Sequence, residues 1–318
     1  MVIILDLGIL ADNFVIQSVK SKGIAEMKHK GASRRVLITG CSSGFGLLTA
    51  VKAAKAGYDV IATMRNLGKA DTLKQALDRV SATATIDQLD VIRPDMIETI
   101  VNKYAPIDIL VNNAGIQIGG SLLDIKAGEM QSIFETNYFG PVKLIQAVVP
   151  QMMDAGAGLI INIASLAGRS GHMFNATYSA SKHALLGVSR SIRVELKPFN
   201  IKVVSVEPGY HKTEIIRANA NLSENFYNEE SPMFDLNRGF ARLMLKRVFP
   251  WAGQPERVAR KIVQIMGMKN PKAHYIIGKD ARFITTLQWL GLGRFFENVA
   301  YKELLRQTRK AKKRRGKN

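Results

Sequence analysis

The 318-residue chain has a single cysteine, Cys41, so no internal disulfide can staple it, and a reducing compartment suits it. Its five histidines are scattered, and neither HExxH nor CxxC occurs, so no metal site is expected. Prolines number ten in a chain that is 47% apolar, which excludes a disordered polymer and fits a globular protein with a full core. Long apolar runs are also missing. MVIILDLGIL is interrupted at Asp6 and no positive charge precedes it, so it makes a poor signal peptide and cannot span a bilayer. Acidic residues are few: 26 Asp and Glu face 45 Lys and Arg, a net charge of +19. The imbalance is concentrated at the end, where residues 302–318 hold nine Lys or Arg against one Glu. Two readings stand for that tail, a fraying solvated end or a surface for anionic lipid or another polyanion. No aromatic interleaving or recognised motif marks specific nucleic-acid binding.

From Arg35 onward, short apolar runs alternate with helical patterns. Strands are expected at 35–40, 58–63, 84–91, 107–115, 158–168, 201–209 and 273–278. Helices are expected at 45–57, 66–79, 94–104, 125–155, 176–197 and 254–266, the fifth of these stopped by Pro198. Continuous apolar strands separated by helices imply a parallel sheet covered on both faces, an α/β doubly wound (Rossmann) fold of about seven strands. A single domain over 34–280 is expected, with residues 1–33 a peripheral extension. Residues 210–250 lose the rhythm and read either as a lid over an apolar pocket or as ordinary helical core. Residues 281–318 read as an amphipathic helical extension, with one or two helices over 283–305 leading into the basic tail.

Three local patterns carry chemistry. The run TGCSSGFG (39–46) lies where the first strand gives way to the first helix. There Gly40 permits a tight turn, and Gly44 and Gly46 allow close backbone approach, so the helix N-terminus can face a pyrophosphate. The second strand ends in Ala62-Thr63-Met64-Arg65-Asn66, without the carboxylate that usually binds the NAD ribose. Arg65 would suit the 2′-phosphate of NADP(H), or it is a surface arginine starting a helix. Finally, Tyr178 and Lys182 are four apart on a helix and so share a face, with Ser165 thirteen residues upstream of the tyrosine. A nearby cation lowers a phenol's pKa from about 10, which would make Tyr178 a general acid/base.

TGCSSGFG, the NNAG run at 112–115, Asn137, Ser165, the Tyr178–Lys182 pair and Pro208-Gly209 resemble, in order and spacing, the short-chain dehydrogenase/reductase family. The likeness covers roughly residues 34–278, and TGCSSGFG with ATMRN is similar to the family's steroid/retinoid branch. The resemblance implies Tyr178 as acid/base, Lys182 acting on its pKa and on the nicotinamide ribose, Ser165 on the substrate oxygen, and Asn137 positioning Lys182 through a water relay. It implies an NADP(H) site of Thr39, Gly40, Ser42, Ser43, Gly44, Phe45, Gly46, Arg65, Asp90, Val91, Asn113, Ala114, Gly115, Tyr178, Lys182, Pro208, Gly209 and Thr213. Asn112 is read as a structural tie between strands. His211 and His172 are each read either as structural or as touching substrate.

The activity so implied is NADP(H)-dependent interconversion of a secondary alcohol and a ketone or aldehyde on a lipophilic, steroid-, retinoid- or fatty-acyl-like molecule. The alternatives are a 3-oxoacyl carrier-protein reductase and a non-catalytic NADP(H)-binding regulator. The resemblance also suggests a homodimer or homotetramer paired through the helices at 125–155 and 176–197. A cytoplasmic location is expected, with peripheral membrane contact through the C-terminal extension.

Overall fold

The computed structural model describes residues 33–212 and 222–315, so the expected peripheral extension lies, but for Ser33, outside the described residues. Seven short strands, β1 (Arg35–Ile38), β2 (Asp59–Met64), β3 (Thr85–Gln88), β4 (Ile109–Asn112), β5 (Gly158–Ile163), β6 (Ile201–Pro208) and β7 (His274–Ile277), form one sheet in the order β3-β2-β1-β4-β5-β6-β7. Every pairing is parallel. The order reverses between β1 and β4, the place where a doubly wound sheet opens a crevice at its carboxyl ends.

Strand side chains alternate between two cores. Val36 and Ile38 pack with α1 (Gly44–Lys55), α2 (Ala70–Asp78) and α8 (Glu256–Met266) on one face. Leu37 and Leu110 pack with α3 (Pro94–Lys103), α5 (Gly140–Asp154) and the end of α6 (Ala176–Glu195) on the other. Leu37 is fully buried, and truncating it to alanine would cost about 2–5 kcal/mol. A third, smaller cluster joins Phe226, Phe240, Met244 and Leu304, drawing on α7 (Phe234–Leu243) and α10 (Gly293–Arg315).

The structure departs from the sequence expectations in four places. The helix expected over 125–155 is α4 (Ala127–Phe134) followed by α5, joined by a π-turn at Glu135–Phe139 that contains Asn137. A π-turn widens the helix by one residue and is frequent at functional sites. The fifth strand stops at Ile163, and Leu166–Gly168 forms a 3₁₀ turn, because Ser165 turns its hydroxyl back onto Ala167 N at 3.1 Å. The fourth strand is limited to Ile109–Asn112, beyond which the chain bends across the end of β1. The C-terminal extension is two helices, α9 (Lys279–Trp289) and α10, and α10 continues through the basic run to Arg315 instead of ending near residue 305. Within the expected lid, residues 213–221 lie outside the described residues, while Phe234–Leu243 is helical.

Candidate active site

Two cavities meet at the carboxyl end of the sheet. The larger, about 240 Å³, runs from the glycine loop to α6 and is lined by Gly40, Ser42, Ser43, Gly44, Phe45, Arg65, Asp90, Val91, Asn113, Ala114, Gly115, Tyr178 and Lys182 among others. Its floor is backbone. Gly40 has φ +72°, and a Cβ there would come within 2.8 Å of Ala114 Cα. A Cβ on Gly46 would lie 2.3 Å from Gly40 O, so only glycine lets α1 start this close to the loop. Thr39 does not line the cleft. Its buried hydroxyl instead accepts from Asn113 N (3.0 Å) and Ala114 N (2.9 Å), locking the end of β1 to the end of β4. Asn113 Nδ2 donates in return to Thr39 O at 2.8 Å. Gly46 likewise acts behind the cleft wall, by close packing.

This cradle fits a dinucleotide. The N-terminus of α1 opens onto the cleft through Ser43 and Gly44, where unpaired N–H groups favour a pyrophosphate. At the far end, Arg65 is joined by Lys69, which motif reasoning missed although it lies four residues on. The 3₁₀ turn Leu67–Lys69 brings that ammonium into the cleft, and Asn66 caps the turn by accepting from Gly68 N at 2.8 Å. No carboxylate replaces them at this end of β2.

The smaller cavity, about 70 Å³, is lined by Ser165, Tyr178, His172, Gln117, Tyr210 and His211, with Pro208 and Gly209 on its wall. Pro208 and Gly209 therefore line this chamber and not the larger cleft. Thr213 lies outside the described residues. Tyr178 lines both cavities. Ser165 reaches its phenol from the strand side, while Gly168 lets the Ser165 turn lie flat on α6, since a Cβ there would meet Lys182 O at 2.7 Å.

Lys182 is buried, with Nζ 5.9 Å from the Tyr178 ring centre and 2.9 Å from Ile163 O, to which it donates. Burial lowers its pKa to about 8. The phenol of Tyr178 is pushed the other way from the sequence expectation: burial raises its pKa, and Ser165 only partly offsets this. Asn137 is fully buried; its Oδ1 accepts from Ile116 N at 2.9 Å, and its Nδ2 donates to Ile116 O (2.8 Å) and Ser181 Oγ (3.1 Å). It thus fixes the chain just beyond Gly115, and a Cβ on Gly115 would sit 3.5 Å from Lys182 Nζ. Asn112 ties β4 to β5, donating to Asn162 Oδ1 at 2.9 Å, and Asn162 in turn donates to Ser189 of α6.

Both histidines have partners. His211 is buried, with Nδ1 2.9 Å from Gly209 O and its ring edge-on to Phe45. His172 lies 3.2 Å from both Tyr210 Oη and Ser170 Oγ, and burial lowers its pKa to about 4. Gln117 donates to Asn175 at 2.6 Å within the wall, and Asp280 braces it from behind by accepting from Tyr210 N at 2.7 Å. Asp280 stands on the first turn of α9, and Gly209 leaves the space it occupies, since a Cβ there would sit 2.2 Å from its carboxylate. No spacing in the sequence signals that contact.

The short chain dehydrogenase family matches residues 34–223, the segment that builds both cavities. The chain belongs to that family. As such it is an oxidoreductase, and its relatives agree with the retinoid-type branch. It is 39% identical to retinol dehydrogenase 8 of Bos taurus over 252 residues, 76% of this chain and 80% of the relative. It is 34% identical to the 3-ketodihydrosphingosine reductase of Bacteroides thetaiotaomicron, covering 80% of this chain and 92% of that one. Among solved structures, an actinorhodin polyketide ketoreductase with NADPH superposes with a TM-score of 0.65 at 29% identity, over 82% of this chain and 97% of the other.

Proposed function

We propose that this short-chain dehydrogenase interconverts a secondary alcohol and a ketone or aldehyde on a lipophilic molecule, with NADP(H) in the larger cavity and substrate in the smaller. One observation carries the reading: Tyr178 is shared by the two cavities, with Ser165 and Lys182 on either side of it. When bound, the nicotinamide supplies the hydride-accepting or hydride-donating carbon. Everything else is the work of this chain. Tyr178 Oη moves the proton to or from the substrate oxygen, and Ser165 Oγ donates to that oxygen as charge develops. Lys182 carries the positive charge that favours the phenolate over the phenol. Asn137 holds the Ile116 backbone and Ser181, and through them the floor beneath Lys182. Ser42, Ser43, Gly44 and Phe45 seat the pyrophosphate, Asp90 and Val91 line the adenosine side, and Arg65 with Lys69 meets the 2′-phosphate.

Support for a lipophilic substrate comes from Phe174, Tyr210 and Phe240 beside the smaller cavity, and from relatives named for retinol and 3-ketodihydrosphingosine. A carrier-bound 3-oxoacyl thioester is the second reading, favoured by the basic surface and by the polyketide ketoreductase likeness. A panel of free lipophilic ketones beside 3-oxoacyl thioesters, followed by NADPH consumption, separates the two. Tyr178→Phe should lower turnover at least a thousandfold, about 4 kcal/mol in transition-state terms, while NADPH binding stays within twofold. Near-normal turnover in that variant would remove Tyr178 from the role. For assembly and location we extend the same reading: a homodimer or homotetramer paired through α5 and α6, cytoplasmic, and peripheral to a membrane. No helix among the described residues is long and apolar enough to cross a bilayer.

A further inference from the structure

The C-terminal hairpin turns two unlike faces to its surroundings. The inner face of α10 is buried on α7: Leu304 enters the cluster with Phe240 and Met244, Gln307 accepts from Arg242 Nε at 3.0 Å, and Thr308 fills the space left by Gly239. The outer face carries Phe295, Val299, Lys302, Arg306, Arg309 and Lys313, at intervals of four, three, four, three and four, which place them in one line along the helix. The line is apolar at its start and cationic for the rest. Arg306 pairs with Glu303 of its own helix at 3.4 Å, while Lys302, Arg309 and Lys313 meet no carboxylate among the described residues. Just before the line, the turn between α9 and α10 exposes Trp289 (83%), Leu290 and Leu292, with Phe295 (66%) beside them. Four large apolar side chains at a hairpin tip, next to a row of four cations of which three are unpaired, are far from the ordinary scatter of surface hydrophobics.

We infer that the α9–α10 hairpin docks this chain on an anionic lipid bilayer. Trp289, Leu290, Leu292 and Phe295 lie at the acyl boundary, and the cationic row of α10 lies over anionic headgroups. The chemistry matches each half of the surface. Tryptophan and leucine gain by leaving water for the interface, and each basic residue is drawn to a negative surface potential. A second copy seated on the same face would set cations against cations or aromatics. A nucleic acid would pair with the cations but leave the apolar tip in water. The inner face of the same helix carries α7, whose cluster reaches Tyr210 on the wall of the smaller cavity. A docked α10 therefore lies between bilayer and α7. That this face then supplies membrane-dissolved substrate to the smaller cavity rests on the function proposed above; the docking itself rests on the surface alone.

The test uses the full chain and vesicles of phosphatidylcholine, with or without phosphatidylglycerol. Co-sedimentation should be at least tenfold tighter with the anionic vesicles and should fall with salt. Since the chain has two tryptophans, Trp251→Phe leaves Trp289 as the reporter, and acyl-brominated lipid should quench its emission. Replacing Lys302, Arg306, Arg309 and Lys313 together with glutamine should weaken vesicle binding at least tenfold and leave turnover of a water-soluble ketone, measured without vesicles, unchanged. Equal binding by wild type and the glutamine variant, unquenched Trp289, or tighter binding to duplex DNA than to vesicles would overturn the proposal. Turnover failing in every variant, wild type included, would count against the enzymatic reading while leaving vesicle binding as measured.

Discussion

The two cavities that share Tyr178 are made of different materials. The glycine-rich end of the larger is shaped by main chain: the loop at Gly40–Gly44, the crossing at Asn113–Gly115, and the N-terminus of α1, tied together through Thr39 and Asn113. The smaller is walled by side chains, His172, Tyr210, His211, Gln117 and Ser165, of which Gln117, His172 and Tyr210 are fastened by hydrogen bonds to partners far away in sequence. Main-chain walls admit one shape, fixed by which residues can lack a Cβ. Side-chain walls can be rebuilt one residue at a time. A family with one cofactor chemistry and many substrates needs both kinds.

The most severe way to break the contrast is in the main-chain wall. Gly46→Val should destabilise the fold by about 2–4 kcal/mol and abolish NADPH binding, because its Cβ would lie 2.3 Å from the backbone Gly40 O and 2.4 Å from Asn113 Nδ2, itself bonded to Thr39 O; urea unfolding and cofactor fluorescence check this. Next comes charge at the adenosine end. Arg65→Ser should weaken NADPH by about tenfold to a hundredfold and leave NADH within threefold, read from the ratio of the two affinities, consistent with about 1.5–3 kcal/mol for a hydrogen bond to a charged group. In the side-chain wall the effects should be smaller and should fall on KM. Tyr210→Phe should raise KM for a ketone severalfold with kcat nearly unchanged, since only its hydrogen bond to His172 is lost.

The mildest test concerns pH. His172 is held near 4 in the folded protein against an ordinary value of about 6.5, so below 6.5 the unfolded chain takes a proton that the folded one refuses. Stability should fall as pH drops from 7 to 5, and His172→Gln should remove about 2 kcal/mol of that fall, seen by comparing urea midpoints of both proteins at the two pH values. For turnover, a phenol raised by burial rests protonated at neutral pH, so alcohol oxidation should speed up with rising pH more than ketone reduction does.

Most of the larger cavity was legible in the sequence, because its demands are local. Glycine spacing reports backbone conformation, apolar runs report buried strands, and the interval from Tyr178 to Lys182 reports a helix face. Residues such as Lys69 could have been found the same way, four beyond Arg65. The seven strands were all placed, with ends one to five residues off where the chain bends at Ser165 and Asn113. What could not be read is whatever two distant segments do together. The π-turn at Asn137, the seat of α10 on α7 and the contact of Asp280 with Tyr210 have no spacing of their own. The rise in the Tyr178 pKa also escaped, since a motif shows the neighbouring charge but not the loss of water.

Asp280 carries one more consequence. The backbone that shapes the smaller cavity is fastened by a carboxylate from beyond the last strand, so the chain after Ile277 is not a detachable appendage. Exchanging it for another protein's ending should reshape that cavity even when every residue facing it stays the same.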